Sequence, residues 1–286
     1  PQMKLDVQEN RLQLLVDLTL RQTPCTEPSL KMDEKSTQQR FKILADLAQG
    51  IPGFMSSANV AVWDTFLSAQ NRFYAQGHLL EIGVFKGRSA SVLCQHKRPD
   101  EELWLVDFSQ FLAEAESNLA TLKSPGVKFV HEKSSDLWKN PEIVQRRRQF
   151  RWIHIDGEHT GHAVANDLAL AADLLSNEGL ICVDDFFSPA YPQISAATYL
   201  WLANHPFELE LIFCGDNKAY LARPTYAYHY LNIIRHELAQ ELKARGYTDF
   251  TLFKTSPTGD CNCWGIGARR GDRDLYGLDA DPDLIC

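Results

Sequence analysis

The sequence predicts a doubly wound α/β fold, and three observations carry that prediction. From His78 onward, short apolar runs alternate with helical patterns five times. The first run passes through Gly83-Val84-Phe85-Lys86-Gly87 straight into an alanine- and serine-rich segment, a strand–turn–helix junction held by two glycines. Of the 286 residues, 44% are apolar, enough to cover both faces of a sheet with helices.

The elements follow in order. A strand over 79–83 leads to a helix over 88–97, then 102–107 to 109–122, and 127–131 to short helical pieces over 134–148. Strands over 151–155 and 179–184 precede helices over 161–176 and 193–204. Alternation of this kind implies parallel strands joined by right-handed crossovers. Residues 207–214 and 218–222, joined by Gly215-Asp216-Asn217, read as a hairpin. Before the sheet, apolar positions recur at helical spacing over 7–20 and 38–49, separated by a polar linker around 23–36, and a further helix is expected over 58–74. The expected division is a helical cap over 1–76, a core over 77–224 and an extension over 225–286. That extension comprises a long helix (225–245), strands over 249–254 and 263–268, and an acidic tail from Gly271.

Composition excludes several functions. Net charge is −8 and the basic residues form no stripe beyond Arg146-Arg147-Arg148, so nucleic-acid binding through phosphate neutralisation is not expected. No run approaches the eighteen apolar residues of a membrane span, and the first residues lack the pattern of a secretory signal, so a cytoplasmic location is expected. The 7 cysteines are odd in number and suit a reducing compartment. Cys94, Cys182 and Cys214 lie in apolar segments as small hydrophobes. Cys261-Asn262-Cys263 lacks the second pair that a zinc site needs.

A strand that ends in glycine and runs into a helix offers free amide N–H groups and a positive dipole end to a ligand. Phe85 stands where the dinucleotide pattern Gly-x-Gly-x-x-Gly requires its middle glycine, and no Gly-Lys-Ser/Thr follows. What remains, Glu-x-Gly-x-x-x-Gly-x-Ser at Glu81, Gly83, Gly87 and Ser89, resembles the first motif of class I S-adenosylmethionine-dependent methyltransferases. The stretch from Glu81 to Ala90 is similar, more narrowly, to catechol-type and macrolide-sugar-type (macrocin-type) O-methyltransferases. The plainer alternative is a glycine turn that only packs helix on strand. The resemblance implies a Rossmann-like sheet of seven strands, parallel apart from a terminal antiparallel hairpin. It also implies S-adenosylmethionine as cofactor, contacted by Glu81, Gly83, Gly87 and Ser89.

Ligands of such sheets bind beyond the carboxyl ends of the strands, so the closing residues are the candidates. Asp107 ends the second strand, where a carboxylate accepts both ribose hydroxyls; its alternative is to cap a helix starting at 109. After the third strand, the resemblance sets Ser134 and Ser135 beside the adenine, with helix capping as the alternative. Asp156 closes the fourth strand and Asp184-Asp185 close the fifth. Three carboxylates at neighbouring strand ends cost on the order of several kcal/mol unless a cation or protons compensate. A hard divalent ion with oxygen ligands answers that need.

In metal-dependent O-methyltransferases the matching positions hold Mg²⁺, which implies Asp156, Asp184 and Asp185 as ligands, with Asp156 also counted at the cofactor and in catalysis. His159, three residues on, then falls at the position of the general base. Glu158 and His162 are neighbouring substitutes for that role, and a solvated loop histidine is the plain alternative. Asp167 is expected to cap or pair within the fold. Trp152, Trp201 and Phe207 read as core; Phe186, Phe187 and Tyr191 either line an acceptor pocket or pack their loop.

The expected activity is methyl transfer from S-adenosylmethionine to a hydroxyl of a small molecule, a natural product or sugar, assisted by a divalent metal. Other readings are metal-independent N-methyl transfer, a non-catalytic cofactor-binding protein, and a hydroxylase-like relative. The expected partner is the small-molecule acceptor, without nucleic acid or membrane. The face bearing Leu231, Ile234 and Leu238 packs either on its own domain or on a second copy of the chain, which is the further candidate partner.

Overall fold

A single twisted sheet organises the protein, and the order of its strands follows from which connections are crossovers and which are hairpins. The computed structural model describes residues 34–255 and 262–267. The helix expected over 7–20, most of the linker after it, Cys261 and the acidic tail lie outside the described residues. Strands β1 (His78–Ile82), β2 (Leu103–Val106), β3 (Val127–Val130), β4 (Phe150–Ile155) and β5 (Leu175–Val183) run parallel in the order β3-β2-β1-β4-β5. The order reverses between β1 and β4, which opens a crevice at their carboxyl ends.

β6 (Glu210–Gly215) and β7 (Lys218–Ala222) form the expected hairpin, with β7 inserted antiparallel between β5 and β6. Asp216 and Asn217 at its tip both take positive φ (49° and 68°), the geometry of a tight two-residue turn whose twist matches the strands. The sheet has nine strands, not seven: β9 (Trp264–Gly267) pairs parallel with β6, and β8 (Thr251–Lys254) pairs antiparallel with β9. These two strands cover the unpaired edge that β6 would otherwise present.

Two apolar layers sandwich the sheet. One holds α1 (Glu34–Gln49), α2 (Ser57–Arg72), α3 (Arg88–His96), α4 (Leu112–Ala120) and the C-terminal helices. Those are α8 (Pro224–Ile233), a wider i→i+5 turn (Ile234–Leu238) and α9 (Ala239–Ala244), in place of one uninterrupted helix over 225–245. Ile234 and Leu238 are fully buried in this layer and Leu231 packs against it, so the apolar stripe of this segment is used within the chain. The opposite layer holds the short α5 (Pro141–Val144), α6 (Gly161–Leu174) and α7 (Gln193–Asn204). Trp152 and Trp201 are core residues as expected. Phe207 is 89% exposed at positive φ (73°), in the turn between α7 and β6, where its ring reaches no apolar layer. The helix after β2 begins at Leu112 rather than 109. Among the described residues no helix is long and apolar enough to cross a membrane.

α2 is the inner helix of the first layer. Ser56 caps it by accepting from the Asn59 N–H (3.1 Å), and most of its residues, including Val60, Trp63, Phe66 and Leu67, are buried. It therefore buries one carboxylate, Asp64, which has to be paired from several directions. Arg245 Nε (2.6 Å), His96 Nε2 (2.9 Å) and Arg40 Nη2 (3.3 Å) converge on it. Burial alone would raise the Asp64 pKa, but His96, Arg245 and Arg40 together hold it well below the usual carboxylate range. Its contribution to stability is present above pH 4 and is lost in acid as the group protonates.

Asp64→Asn is expected to destabilise the protein by about 3–5 kcal/mol, the cost of leaving buried Arg245 without its charge partner. Urea unfolding at neutral pH measures it. A loss under about 1 kcal/mol would mean that the cluster is solvated in solution.

Candidate active site

At the carboxyl ends of β1, β2, β4 and β5 lies a cleft of about 960 Å³, lined among others by Gly83, Asp107, Ser134, Ser135, Asp156, His159, Asp184 and Asp185. Its floor is the glycine turn after β1. Gly83 has φ +86°, and a Cβ there would stand 1.8 Å from the backbone oxygen of Asp156. The glycine therefore admits the neighbouring strand end: Asp156 N–H donates to the Ile82 carbonyl (2.8 Å) and Gly83 N–H to that of Val106 (2.9 Å).

Asp107 shapes the same turn. Its Oδ2 accepts from the Val84 and Phe85 N–H groups (2.8 Å each), and its Oδ1 from that of Ser109 (2.6 Å). Capping of a helix is not its role, since α4 starts at Leu112. Three of about four lone-pair sites on a carboxylate are filled, leaving one for a ligand in the cleft. Gly87, at φ +91°, opens α3 and lets Leu119 and Ala115 of α4 approach, and Ser89 follows on the first turn; neither lines the cleft.

Glu81 was expected at the cofactor, but the structure buries it completely beneath the cleft floor, where Oε1 accepts from His154 Nδ1 (2.7 Å). The cause is the alternation of β1: Glu81 points towards α2 while Ile82 points the other way. Ser134 and Ser135 open a 3₁₀ turn (Ser134–Lys139) at the cleft wall. Phe108, 58% exposed, stacks on His131 (5.6 Å, 11°) and gives the cleft a flat aromatic face beside these serines. Phe85, at φ +47°, stacks on Phe54 (5.9 Å) and meets Phe111 edge-on (4.7 Å).

The three strand-end aspartates do converge, but they divide into two settings. Asp156 and Asp185 stand at the cleft with His159: the His159 Nε2 lies 2.9 Å from Asp185 Oδ2, out of hydrogen-bond line, and 3.5 Å from Asp156 Oδ1. One donor atom from each of the three falls within 4.8 Å of the others, a set that fits a divalent cation, and His154, Asp156 and Asp184 form a second set of the same kind, sharing Asp156. His159 stacks on Tyr191 (4.3 Å, 13°) and its carbonyl accepts from Gln193 (2.5 Å). The nearby Asp156 carboxylate raises the His159 pKa, against partial burial and with help from Asp185. Burial raises the Asp156 pKa, an effect that His159 opposes and the Asp184 charge reinforces.

Asp184, half-buried at the same cleft, is paired instead with buried groups beneath it. Its Oδ2 meets the ammonium of Lys218 and His154 Nε2 (3.3 Å), while Oδ1 accepts from the Asp185 N–H (2.8 Å). Burial would raise its pKa, but Lys218 and His154 hold it well below the usual range. His154 thus stands between Glu81 and Asp184. Burial would lower its pKa, and hydrogen bonds to Asp184 and Glu81 more than reverse this, to about 9.

Neither His154 nor Lys218 was a candidate from sequence. His154 had a signal, its position two residues before Asp156 on the same strand face. Lys218 had only its place directly after a hairpin turn. Asp185 sits at positive φ (52°), backbone strain of the kind retained at functional sites. Asp167 is buried in α6, takes an Asn166 hydrogen bond (3.2 Å), and burial pushes its pKa up to about 6. Phe187 and Tyr191 are exposed and only Tyr191 lines the cleft, whereas Phe186 is core. Glu158 and His162 lie on the cleft wall.

Residues 80–186 match the family model described as a methyltransferase domain, the segment from β1 to just past Asp185. No curated protein matches the chain. Among solved structures, the O-methyltransferase NovP is 16% identical and covers 67% of this chain and 99% of its own, with a TM-score of 0.51. The methyltransferase PaMTH1 of Podospora anserina, bound to S-adenosylhomocysteine, is 18% identical over 73% of this chain and 95% of its own, at a TM-score of 0.46. Cofactor-bound Rv0187 from MTB is also 18% identical with the same coverage, at 0.48. Residues 80–186 thus carry a methyltransferase domain on a sheet of Rossmann-like strand order, and the protein is an enzyme.

The raised His154 pKa has a stability consequence. A group whose pKa rises on folding stabilises fully below its unfolded value and loses that contribution as pH climbs through the folded value. In EDTA, the protein is expected to lose about 3 kcal/mol between roughly pH 6.5 and 9, with His154→Gln lacking this decline; urea titrations across pH compare the two.

Proposed function

We propose that this methyltransferase moves the methyl group of S-adenosylmethionine to a hydroxyl oxygen of a small molecule, with a divalent cation at Asp156 and Asp185 and His159 as general base. The observation that carries the reading is the meeting of Asp156, Asp185 and His159 within 4.8 Å at the rim of the cofactor cleft. The flanking aromatics Phe54, Phe85 and Tyr191 suit an organic acceptor of modest size, and the net charge of −8 disfavours a nucleic acid.

The chain's own groups divide the work. The glycine turn and the aspartate that clamps it, with Phe108, Ser134 and Ser135, hold the nucleoside part of the donor. A cation at Asp156 and Asp185 supplies Lewis acidity, lowering the pKa of an acceptor hydroxyl. His159, kept in place by Tyr191, takes the hydroxyl proton. The freed oxygen pair then forms the O–CH₃ bond as the S–CH₃ bond breaks and its electrons return to sulfur. Alignment of donor and acceptor in a closed cleft contributes the larger part of the acceleration.

His159→Ala is expected to lower kcat by about 10²–10⁴-fold while donor affinity holds; steady-state kinetics and calorimetry with S-adenosylhomocysteine test both. Chelation should abolish turnover and Mg²⁺ restore it. Full activity in EDTA would remove the cation from the reading, and an unchanged kcat in His159→Ala would remove the base.

A further inference from the structure

Lys218 has no part in the reading above, yet it is a buried ammonium directly beside the site. It opens β7, and the antiparallel register that sets Ala219 against Val183 brings it level with Asp184. Its side chain is 3% exposed, its ammonium pairs with Asp184 Oδ2 and lies 5.9 Å from the Trp63 ring centroid. The hairpin tip fixes it there. Asn217 donates its side-chain amide to Asp185 Oδ1 (2.7 Å) and accepts from the Phe187 N–H (3.1 Å), while its carbonyl accepts from the Phe186 N–H (2.9 Å). On the other side, Asp216 is held by Ser56 Oγ (2.7 Å) and its carbonyl by Asn59 (3.1 Å) at the start of α2.

We propose that Lys218 is a resident cation of the active site that takes Asp184 out of the donor set, so that Asp156 and Asp185 alone supply the carboxylates for a divalent ion. The proposal rests on the reading of those two residues as cation ligands. Its physical basis is an ion pair. Lys218, itself buried, sets its ammonium on Asp184 Oδ2, and His154 and Glu81 continue the row of contacts beneath the cleft, so the Asp184 charge is already matched within the chain. Asp184 has three partners within the chain, Lys218 and His154 on Oδ2 and the Asp185 N–H on Oδ1, which leaves it at most one acceptor site and a charge that Lys218 already compensates. A divalent ion drawn to Asp184 would meet a carboxylate already paired with a buried ammonium, so its charge would repel that ammonium or displace it from its partner. Lys218 thereby sets a moderate cation affinity and keeps the ion towards the cleft, where the acceptor binds.

The test uses the full chain and Mn²⁺ titrated by calorimetry, with Mg²⁺-dependent thermal stability as a second readout. Asp185→Asn is expected to weaken Mn²⁺ at least about tenfold, whereas Asp184→Asn shifts it by less than about threefold. Lys218→Met frees the Asp184 carboxylate and is expected to tighten Mn²⁺ by about tenfold or more and to make the melting temperature rise with Mg²⁺. The double variant Lys218→Met with Asp184→Asn, which removes both charges of the pair, should return to the wild-type affinity. Equal losses in Asp184→Asn and Asp185→Asn, or no tightening in Lys218→Met, overturn the proposal. Should the wild-type chain bind no Mn²⁺, the cation clause of the proposed function fails by itself. Binding gained in Lys218→Met and lost again in the double variant then still supports the role of Lys218, and its absence overturns it.

Discussion

The pairing of β7 with β5 is the constraint on which the rest of the site depends. An antiparallel strand inserted beside a parallel one brings its first residues to the carboxyl end of its neighbour. Here those residues are Asn217 and Lys218, and the neighbour ends in Asp184-Asp185. The hairpin tip therefore grips both acids at once, an amide on one and an ammonium on the other. Without that grip, adjacent carboxylates would repel each other and their backbone, strained at Asp185, would relax.

The same tip reaches α2 through Asp216, and α2 in turn places Trp63 edge-on to His154 (4.7 Å) and Asp64 at the junction with α1, α3 and the C-terminal helices. A buried helix carrying a carboxylate is stable only if cations come to it from its neighbours. The charged clusters at Asp64 and at Asp184 thus lie on one side of the sheet, and α2 touches both. One cluster fixes the helix layer. The other sets the electrostatics beneath the cleft.

Above the buried row, the cleft side of the sheet is shaped by close backbone approach. Gly83 leaves room for the backbone of Asp156, and Asp107 gathers three N–H groups of the turns it joins. These contacts give the cleft floor its form from backbone alone. Next to them Asp156, Asp185 and His159 remain accessible, at or just beyond strand ends whose positions the sheet has already set.

The order of elements, the glycine turn and the strand-end acids were legible in the sequence, because each is local: alternating hydrophobicity marks a strand, and a strand's last residue reaches the crevice by topology alone. That is why Asp107, Asp156, Asp184, Asp185 and His159 could be named by position. What each does to its neighbours was not legible. Glu81 sits under the floor because of the face it takes in β1, and Asp107 clamps backbone because the turn curls round it. The pairing of Asp184, unlike Asp156 and Asp185, with an ammonium depended on a lysine 34 residues further along the chain, placed by strand register rather than by any motif. Likewise β8 and β9 read as strands from their residues, but only the open edge of β6 decided that they would extend the same sheet. Sequence fixes what is set by short-range periodicity; charge pairing and edge pairing are set between segments distant in the chain, and the tertiary structure alone decides them.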